Sequence, residues 1–558
     1  MNYCLPLALS CCLLLGKLFA QDTDVLLNHD LYHYVDRLLI KSRPQSPFFT
    51  AAKPYNRQAI ARLLREVPDS SFSPVERNWH LRMRLLVDHA LADSVPAKGI
   101  WNTFYQNGRD FFHLRQPGFQ LYVNPALNVG LGVERHNFDT DQSLFLLNNS
   151  RGAVVYGSLL GKLGVYTELY DNIRFVPRFE LEDYRQRGAL YGQGFIKPFG
   201  SRPNGLDFFS SRAYLTFSPL PVVRIKLGKD RAFWGDGYQS LVLSDQATDY
   251  LFLNIRTRIW KLEYVNHFAQ MIDFIPTKSD TEGTFPRKYA VFHQLTYQPG
   301  PRLAISAFES IVYSPVLANG RRGFEMQYLN PIIFYRAVEQ SIGSPDNGLL
   351  GFSLRYQLWK RLQLYGQLLV DDYNFSKRKE GRQYWGNKVG YQLGIKYIDV
   401  LGIPALDLQL EHNRIRPYVY QHFNVTANYS HYAQSLGHAA GANLSDYHLI
   451  LRYRPLGSLS LFAAYTFRRQ GLDTPDVNYG ADVNRSYAVN RRPGDFDHRL
   501  GQGVATNTHQ LYGRLSLQLW HTDAYLEVEG RHRRQGVLRS TSLLAGLRMS
   551  LAPLLPKY

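Results

Sequence analysis

The sequence predicts a mainly β protein: a transmembrane antiparallel β-barrel of about 18 strands, preceded by a small N-terminal α-helical bundle. Three observations predict this fold. From about residue 101 onward, aliphatic and polar residues alternate with a period of two. Short turns alternate with long polar connections along the same region. After Gln21, no stretch approaches the roughly 18 to 20 apolar residues that a membrane helix requires.

Residues 1–20, MNYCLPLALSCCLLLGKLFA, are predicted to be a cleaved secretory signal peptide. They form an apolar run that ends on the small residue Ala20, as such signals do. A lipoprotein signal around Cys11 and Cys12 is the less favoured alternative, because the apolar run continues beyond these residues. The only other cysteine is Cys4, so a disulfide framework or a thiolate metal site is excluded in the rest of the chain.

Residues 21–100 are predicted to form a helical bundle that plugs or caps the barrel from the periplasmic side. Apolar residues recur at helical spacing in two segments, Leu31, Val35, Leu38 and Leu39, then Ile60, Leu63, Leu64 and Val67. A third helix begins at Ser73, with Pro74 in its first turn and Glu76 completing a capping box. An independent binding domain is the alternative that we favour less.

Residues 101–558 are predicted to form the barrel. The clearest two-faced segments are residues 162–169, 223–228, 361–368, 406–411 and 510–519. Dividing the roughly 450 residues after the bundle by about 25 residues per strand and connection gives about 18 strands, and about 16 would also be tolerable. A soluble sandwich or propeller would alternate too, but aromatic residues crowd the strand ends as in membrane girdles, and we find no fixed-period repeat.

The densest polar cluster runs from Gly228 to Asp245 and cannot be a lipid-facing strand. It has two interpretations of equal weight. Either it is a Gly-rich loop that folds inward and packs on Phe233 and Trp234, or it is a polar constriction or sugar-binding lip inside the barrel. Because no Gly-Lys-Ser/Thr sequence opens a helix here, it is not a phosphate-binding loop. The candidate residues are Lys229, Asp230, Arg231, Trp234, Asp236 and Tyr238.

Acidic residues near strand ends form a second candidate group, Glu309, Glu339, Asp371, Asp372 and Glu411, with Arg231, Arg256, Arg336, Arg355 and Arg414 as partners. A carboxylate pair could hydrolyse a glycosidic bond. We favour an interior salt-bridge network, because inward charge is ordinary in large barrels. No serine nucleophile elbow is present. The sequence therefore predicts no enzyme and no catalytic residue.

Aromatic and histidine residues of the loops complete the candidate set: Trp385, Tyr429, His431 and Tyr432. His431 and His438 lie in one Gly-rich segment, but their spacing matches no common metal-binding pattern. We therefore predict neither a metal ion nor another cofactor.

The formal net charge is +18, from 64 Lys+Arg and 46 Asp+Glu. Arginines are dispersed along the strands rather than clustered, so no nucleic-acid partner is predicted. Basic groups interleaved with tyrosine and tryptophan suit a glycan, an anionic one included. The aromatic rings would stack on sugar faces, and the guanidinium groups would pair with carboxylates.

Five segments, residues 228–245, 328–339, 346–351, 385–388 and 429–443, resemble the capsule-assembly Wzi family in its Bacteroidetes-type form. This family grades into outer-membrane proteins of gliding motility. The N-terminal helical region resembles the small bundle of the same family, so the resemblance covers nearly the whole mature chain.

The resemblance implies a barrel in the outer membrane of a Gram-negative bacterium, with loops at the cell surface. It implies a lectin that attaches capsular or extracellular polysaccharide to the cell. A porin-like channel and a component of a gliding or secretion machine are the alternatives. The expected partners are the polysaccharide, outer-membrane lipid and the barrel-assembly machinery, and the protein is expected to be a monomer.

Overall fold

A computed structural model describes residues 23–558 except 45–46, 69–71, 98, 139–141, 274–284, 318–319, 332–333, 380–381, 521, 554, 556 and 558. The predicted signal peptide lies outside the described residues. The described part of the chain forms one closed antiparallel barrel of 18 strands with a few N-terminal helices. The predicted fold class is therefore confirmed.

The barrel closes because its last strand pairs with its first, from Met549 opposite Leu127 to Ser540 opposite His136. In chain order the strands are β1 Phe119–His136, β2 Gln142–Leu159, β3 Leu163–Phe175, β4 Gly205–Leu220, β5 Val223–Asp230, β6 Tyr250–Ile259, β7 Leu262–Ile272, β8 Arg287–Gly300, β9 Leu303–Tyr313, β10 Asn347–Trp359, β11 Leu362–Asp372, β12 Lys388–Tyr397, β13 Leu406–Ile415, β14 Leu444–Tyr453, β15 Leu459–Leu472, β16 Val504–Gln518, β17 Ala524–Gln535 and β18 Leu538–Met549. Short two- to five-residue strands are Ala52–Lys53, Phe112–Gln116, Lys197–Pro198, Phe233–Trp234, Val316–Leu317, Gly320–Arg321, Ser430–His431 and Gln434–Ser435.

The helices are α1 Asp30–Ser42, α2 Arg57–Glu66, α3 Pro74–Val87, α4 His89–Asp93, α5 Arg178–Arg187, α6 Tyr335–Ile342 and α7 Phe375–Lys379. Single 3₁₀ turns span Gly99–Thr103, Met326–Leu329, Val400–Gly402 and Val425–Ala427. The capping box expected at Ser73 is present at the start of α3. Within the described residues, no helix has the length and apolar character needed to cross a membrane.

The strands have two chemically different faces, as the period-two pattern predicts. In β3, Leu163, Val165 and Leu169 face outward, whereas Tyr166 and Glu168 are buried inside the barrel. The same alternation of outward aliphatic and inward polar residues continues in β11, β13 and β16. The outward side chains therefore form a belt that suits lipid, and the inward ones give a polar lumen.

The two ends of the barrel differ. Turns of a few residues join the strands at one end, and connections such as 176–204 and 473–503 join them at the other. Helix α1 lies against the short-turn end, where the side chain of Gln357 donates to the carbonyl of Ile40. Arg82 of α3 likewise donates to the carbonyl of Trp520. The helices therefore close the barrel from the short-turn end.

A buried guanidinium fixes α1 to the barrel. Arg37 is 2% exposed and bonds to three carboxylates: Glu76 of α3, and Asp399 and Asp407 on either side of the turn before β13. Lys41 shares Glu76 at 2.6 Å. Removing one partner from such a network leaves the other charges buried and uncompensated, which is strongly unfavourable.

The variant Arg37→Ala tests this attachment. We expect the free energy of unfolding to fall by about 3–5 kcal/mol, because three buried carboxylates lose their shared cation. Urea titration of the folded protein in lipid vesicles would measure the change. Arg62→Ala is the control: Arg62 is exposed on α2, and its guanidinium donates to the nearby side chain of Gln58. A shift of less than about 0.5 kcal/mol in both variants would contradict the structural role of Arg37.

Candidate functional site

The connection between β5 and β6 does not project from the barrel. Residues 231–249, the inner loop, enter the lumen, and Trp234 and Phe233 pair with Ala52 and Lys53 of the N-terminal region. Trp234 is 1% exposed. The inner loop therefore joins the barrel to the helical plug and contributes to a core inside the lumen.

One carboxylate holds the middle of the inner loop. Glu411 of β13 accepts the backbone N–H groups of Tyr238 and Gln239, at 2.6 and 2.9 Å. It also accepts the hydroxyl of Tyr365 at 2.8 Å. A carboxylate that accepts backbone N–H groups makes charge-assisted hydrogen bonds, which are stronger than neutral ones. The inner loop is thus anchored to β13 of the barrel wall through Glu411, which is one of the candidate acids.

The other charged residues of the inner-loop cluster are also paired. Asp230 accepts from Lys226 at 2.6 Å, and Arg231 donates to Asp249 at 2.7 Å. Asp236 accepts the hydroxyl of Thr50 at 2.6 Å. The first contact lies within β5, the second lies between the two ends of the inner loop, and the third connects the inner loop to the N-terminal region.

Two further residues complete the description of this region. Lys229 differs from its neighbours because it follows Leu227 on the outward face of β5, so it is not part of the lumen cluster. Asp245 of the inner loop is paired with Lys557 at 2.9 Å. Burial by itself raises the pKa of Asp245. The charge and hydrogen bond of Lys557, together with hydrogen bonds from Gln246 and Asn28, have the larger opposite effect and lower the pKa to about 2.

The second candidate group is divided between the lumen and the outside of the barrel. Asp371 is buried in the lumen, bonded to Lys388 at 2.5 Å and to the backbone N–H of Tyr420 at 2.6 Å. Glu309 lies on the outward face of β9, and Arg336 and Glu339 belong to α6. The structure therefore does not bring these acids together.

The loop residues of the candidate set are mostly buried beneath the outer surface. Tyr429 donates its hydroxyl to the carbonyl of Val242. His431 accepts the backbone N–H of Ile272 at 3.0 Å, and burial lowers its pKa to about 3, so its ring is neutral. Tyr432 is buried against Phe285.

Trp385 has a different environment. It is half-buried, and the guanidinium of Arg492 lies 4.0 Å from the ring centroid. Tyr487 packs on the same ring at 4.7 Å. One face of Trp385 is thus covered by its own neighbours.

His438 contributes to a buried cluster that the sequence did not indicate, in which its Nε2 and that of His448 lie 3.0 and 3.3 Å from Asp446. These three residues have the composition of a metal site. However, Nδ1 of His438 accepts the backbone N–H of Ala440, which leaves the proton of the neutral ring on Nε2. Arg468 also lies 3.4 Å from Asp446. The cluster is therefore better described as a charged network around Asp446 than as a cation site.

An open cavity of 650 Å³ lies at the long-loop end. Helix α5 forms one wall, residues 425–440 and 473–485 form the opposite side, and the upper parts of β15 to β17 form the floor. The charged lining residues are Glu182, Asp183, Arg187, Asp273, Arg468, Asp473, Asp482, Arg485 and Arg533. We name this space the mouth cavity.

Helix α5 is fixed to the barrel by one side and lines the cavity with the other. On the fixed side, Glu180 pairs with Arg531 of β17 at 3.0 Å. Phe179 lies under the guanidinium of Arg533, at 4.4 Å. On the cavity side, Arg187 pairs with Asp183 at 2.8 Å. An ordered helix in a loop thus presents charged and amide groups at fixed positions.

The opposite side and the floor supply hydrogen-bond donors. Arg485 donates to the carbonyl of Thr474 at 2.7 Å, and its guanidinium has further donors to offer. Arg468 is 5% exposed, and within the described residues its Nη2 makes no hydrogen bond. A buried donor without a partner is costly, so a ligand oxygen or water at the floor would be stabilised there.

The mouth cavity combines the groups that bind a polar, ring-shaped ligand. Its volume lies within the roughly 300–1,000 Å³ typical of small-ligand sites. Phe138, Phe179 and Tyr191 provide apolar rings, and burial raises the pKa of Tyr191 to about 12, so its hydroxyl stays protonated. None of the cavity residues was among the sequence candidates. The one signal was the arginine-rich, helix-compatible run from Arg178 to Arg187 inside a long connection.

The closed barrel, the occupied lumen and the belt of outward aliphatic residues define a class, that of large outer-membrane β-barrels whose interior is plugged. The model of the capsule assembly protein Wzi family matches residues 164–484, which is more than half of the chain. The protein belongs to this family, and its predicted location, the outer membrane of a Gram-negative bacterium, is confirmed.

The chain is similar to the solved structure of Wzi, an outer membrane protein involved in group 1 capsule assembly in Escherichia coli and a carbohydrate-binding β-barrel. The identity is 14%, the match covers 96% of this chain and 100% of that chain, and the TM-score is 0.56. OccK8 (OprE) of Pseudomonas aeruginosa gives 9% identity, 77% and 98% coverage and a TM-score of 0.40. For OccAB2 of Acinetobacter baumannii, the identity is 10%, the match covers 76% of this chain and 97% of that chain, and the TM-score is 0.40. No curated protein sequence matches the chain.

Glu411→Ala tests whether the inner loop closes the lumen. The change leaves the N–H groups of Tyr238 and Gln239 without their acceptor, at a cost of about 1–3 kcal/mol for each. We expect rare, small ion currents for the unmodified protein in planar bilayers and frequent openings for the variant. Asp372→Ala is the control, because Asp372 is exposed at the end of β11. Equally large currents from the unmodified protein would show that the inner loop is no barrier.

Proposed function

We propose that the protein is an outer-membrane lectin that holds capsular or other extracellular polysaccharide at the cell surface, and that the mouth cavity is its binding site. Membership of the capsule assembly family supports the first part. The neighbour of similar fold is described as carbohydrate-binding, which supports the same function. The observation that carries the site is an open, mixed polar and aromatic cavity above a lumen that is filled.

The chemistry of the cavity suits sugar units. Sugar rings have apolar faces that pack on Phe138 or Tyr191, and hydroxyl edges that need both donors and acceptors. The carboxylates of α5 and of residues 473–482 would accept from hydroxyls. The guanidinium groups of Arg485 and Arg187 would donate to hydroxyls, or pair with a carboxylate of an acidic sugar. Recognition would thus depend on placed hydrogen bonds.

The lining charge limits how an anionic glycan would be bound. The cavity contains four arginines, Arg187, Arg468, Arg485 and Arg533, and five acids, Glu182, Asp183, Asp273, Asp473 and Asp482. Charges of both signs are interspersed, so the cavity does not act as a general anion attractor. We infer that an acidic polysaccharide would be held by individual arginine–carboxylate pairs, with neutral hydroxyls satisfying the acids.

The alternative functions have less support. A porin-like channel needs an open path, whereas the helices, the inner loop and residues 416–443 share the lumen. Hydrolysis of a glycan by Asp371 and Glu411 would require free carboxylates, and each accepts a backbone N–H group from a segment that fills the lumen. We infer a binding role without catalysis. A gliding or secretion role would predict a stoichiometric protein partner.

Deletion of the gene tests the proposed function in cells. We expect the total amount of capsular polysaccharide to be unchanged, with less of it on washed cells and more in the medium. Complementation with the unmodified gene should restore retention. Unchanged retention in the deletion strain would contradict a surface-anchoring role and favour the channel or the motility machine.

Arg485→Ala tests the mouth cavity itself. Loss of one charge-assisted hydrogen bond is worth about 1.5–3 kcal/mol, so we expect polysaccharide affinity to fall by roughly 10-fold or more. The measurement is binding of the purified barrel to polysaccharide isolated from the same strain.

Gln186→Ala is a second variant, because Arg485 also bonds to its own loop, whereas Gln186 lines the cavity from α5. We expect it to weaken binding by a smaller factor. Arg499→Ala is the control, since Arg499 is an exposed arginine on the same connection and does not line the cavity. Equal affinity for all three variants would contradict the assignment of the cavity.

A further inference from the structure

The connection between β9 and β10 does not extend from the rim of the barrel. Residues 314–346, of which 318–319 and 332–333 are not described, fold back along the outside wall, and we name them the flap. The flap packs on outward residues of β7 to β9. Its core with the wall comprises Phe268, Val291, Ile311, Tyr313, Tyr328 and Tyr335. The core inside the lumen is formed by the alternate, inward-facing residues of these strands, for example Phe292 and Phe308.

The wall beneath the flap is polar where a lipid-facing wall should be aliphatic. Asn266, His293 and Glu309 all face outward, and each is at most 5% exposed. Glu309 accepts the backbone N–H of Phe334 at 2.6 Å and that of Arg336 at 3.3 Å, at the start of α6. A polar group facing hydrocarbon would be costly without a partner. The flap supplies partners for two of the three, since its backbone donates to Glu309 and the hydroxyl of Tyr335 bonds to His293.

Strand register gives the depth at which the flap lies. Asn266 is paired across the sheet with His293, His293 with Glu309, and Glu309 with Leu350 of β10. Leu350 is an outward leucine that is 41% exposed. The polar row under the flap therefore continues directly into a row of the aliphatic belt.

A second row lies nearer the short-turn end. Tyr264 is paired with Leu295, Leu295 with Ala307, and Ala307 with Phe352. Tyr264 donates its hydroxyl to the carbonyl of Pro331 in the flap. Phe352 is 53% exposed on the aliphatic belt. The flap thus descends past two successive rows of the surface that contacts lipid.

Large apolar side chains are exposed on the flap, interspersed with polar ones such as Gln327 and Arg336. Met326 is 69% exposed, Phe334 is 72% exposed and Leu329 is 36% exposed. Large exposed hydrophobic side chains that are grouped mark a contact surface. Because the flap lies against the same cross-strand rows as Leu350 and Phe352, the same apolar solvent would cover both.

We propose that the flap is a re-entrant element immersed in the outer leaflet, where Met326, Leu329 and Phe334 contact the acyl chains of membrane lipid. The flap replaces lipid against the polar part of the wall and presents a new apolar surface in its place. Irregular backbone is tolerated at membrane depth where protein covers its polar groups, and the contacts of Tyr264 and Glu309 meet that need. Glu309, Arg336 and Glu339 then belong to a membrane element rather than to a glycan site.

Site-directed spin labelling tests the depth of the flap. The three cysteines lie within residues 1–20, so single cysteines can be introduced into the mature protein. Phe334→Cys carries the nitroxide in lipid vesicles, with Phe352→Cys as the lipid-facing reference. Val489→Cys is the aqueous reference, because Val489 is 81% exposed in the connection before β16. Collision rates with oxygen and with a water-soluble nickel chelate are measured at each position.

We expect the label at position 334 to resemble that at 352, with several-fold less collision with the chelate than at 489. Chelate collision equal to that at 489 would overturn the proposal. Heat modifiability on a semi-native gel shows whether each variant has folded. If Phe334→Cys does not fold, Met326→Cys carries the label, and the same two outcomes decide.

The role of Glu309 in holding the flap has its own test. Adding Glu309→Ala to the labelled Phe334→Cys protein removes the acceptor for two backbone N–H groups, so we expect a several-fold gain in chelate collision at position 334. The matched background is Asp372→Ala, an exposed acid outside the flap. No gain in the Glu309→Ala background would show that other contacts hold the flap in place.

Discussion

The structure depends on one constraint: a backbone in lipid must pair all of its N–H and C=O groups within the protein. The pairing of β18 with β1 meets this constraint by removing both edges of the sheet. Once the sheet is closed, alternate side chains of each strand have to enter the lumen. The polar residues of the alternating pattern are therefore enclosed in the lumen, and their charges need partners there.

Those partners come from other parts of the chain. Eighteen strands enclose more space than the inward side chains occupy, and the remainder is taken up by the plug helices, the inner loop and residues 416–443. Arg37 and Glu411 illustrate how they are held, since each joins a wall or turn of the barrel to a segment distant in sequence. With the lumen filled, an open cavity is left at the long-loop end.

The outside wall follows the same rule. Where β7 to β9 present Asn266, His293 and Glu309 outward, a segment of protein covers them, and the aliphatic belt resumes at Leu350. Whether a candidate acid on a strand faces the lumen or the outside thus depends on its position in the alternating pattern, and not on how close it lies to the end of the strand. Parity could have been read for Glu309, which lies four residues after the outward Ile305, and for Lys229, which lies two residues after the outward Leu227.

The sequence by itself determined the closed barrel, the N-terminal helices and the two-faced strands, because a period of two or of 3.6 residues depends on neighbours along the chain. It also allowed an inward inner loop as one of two interpretations of equal weight. Only the tertiary structure decided which segments meet. Arg187, Arg468, Arg485 and Arg533 come from four separate segments, and a cavity lined by them exists only after closure has fixed the spacing of β15 to β17 and the seat of α5. No local pattern encodes such distances.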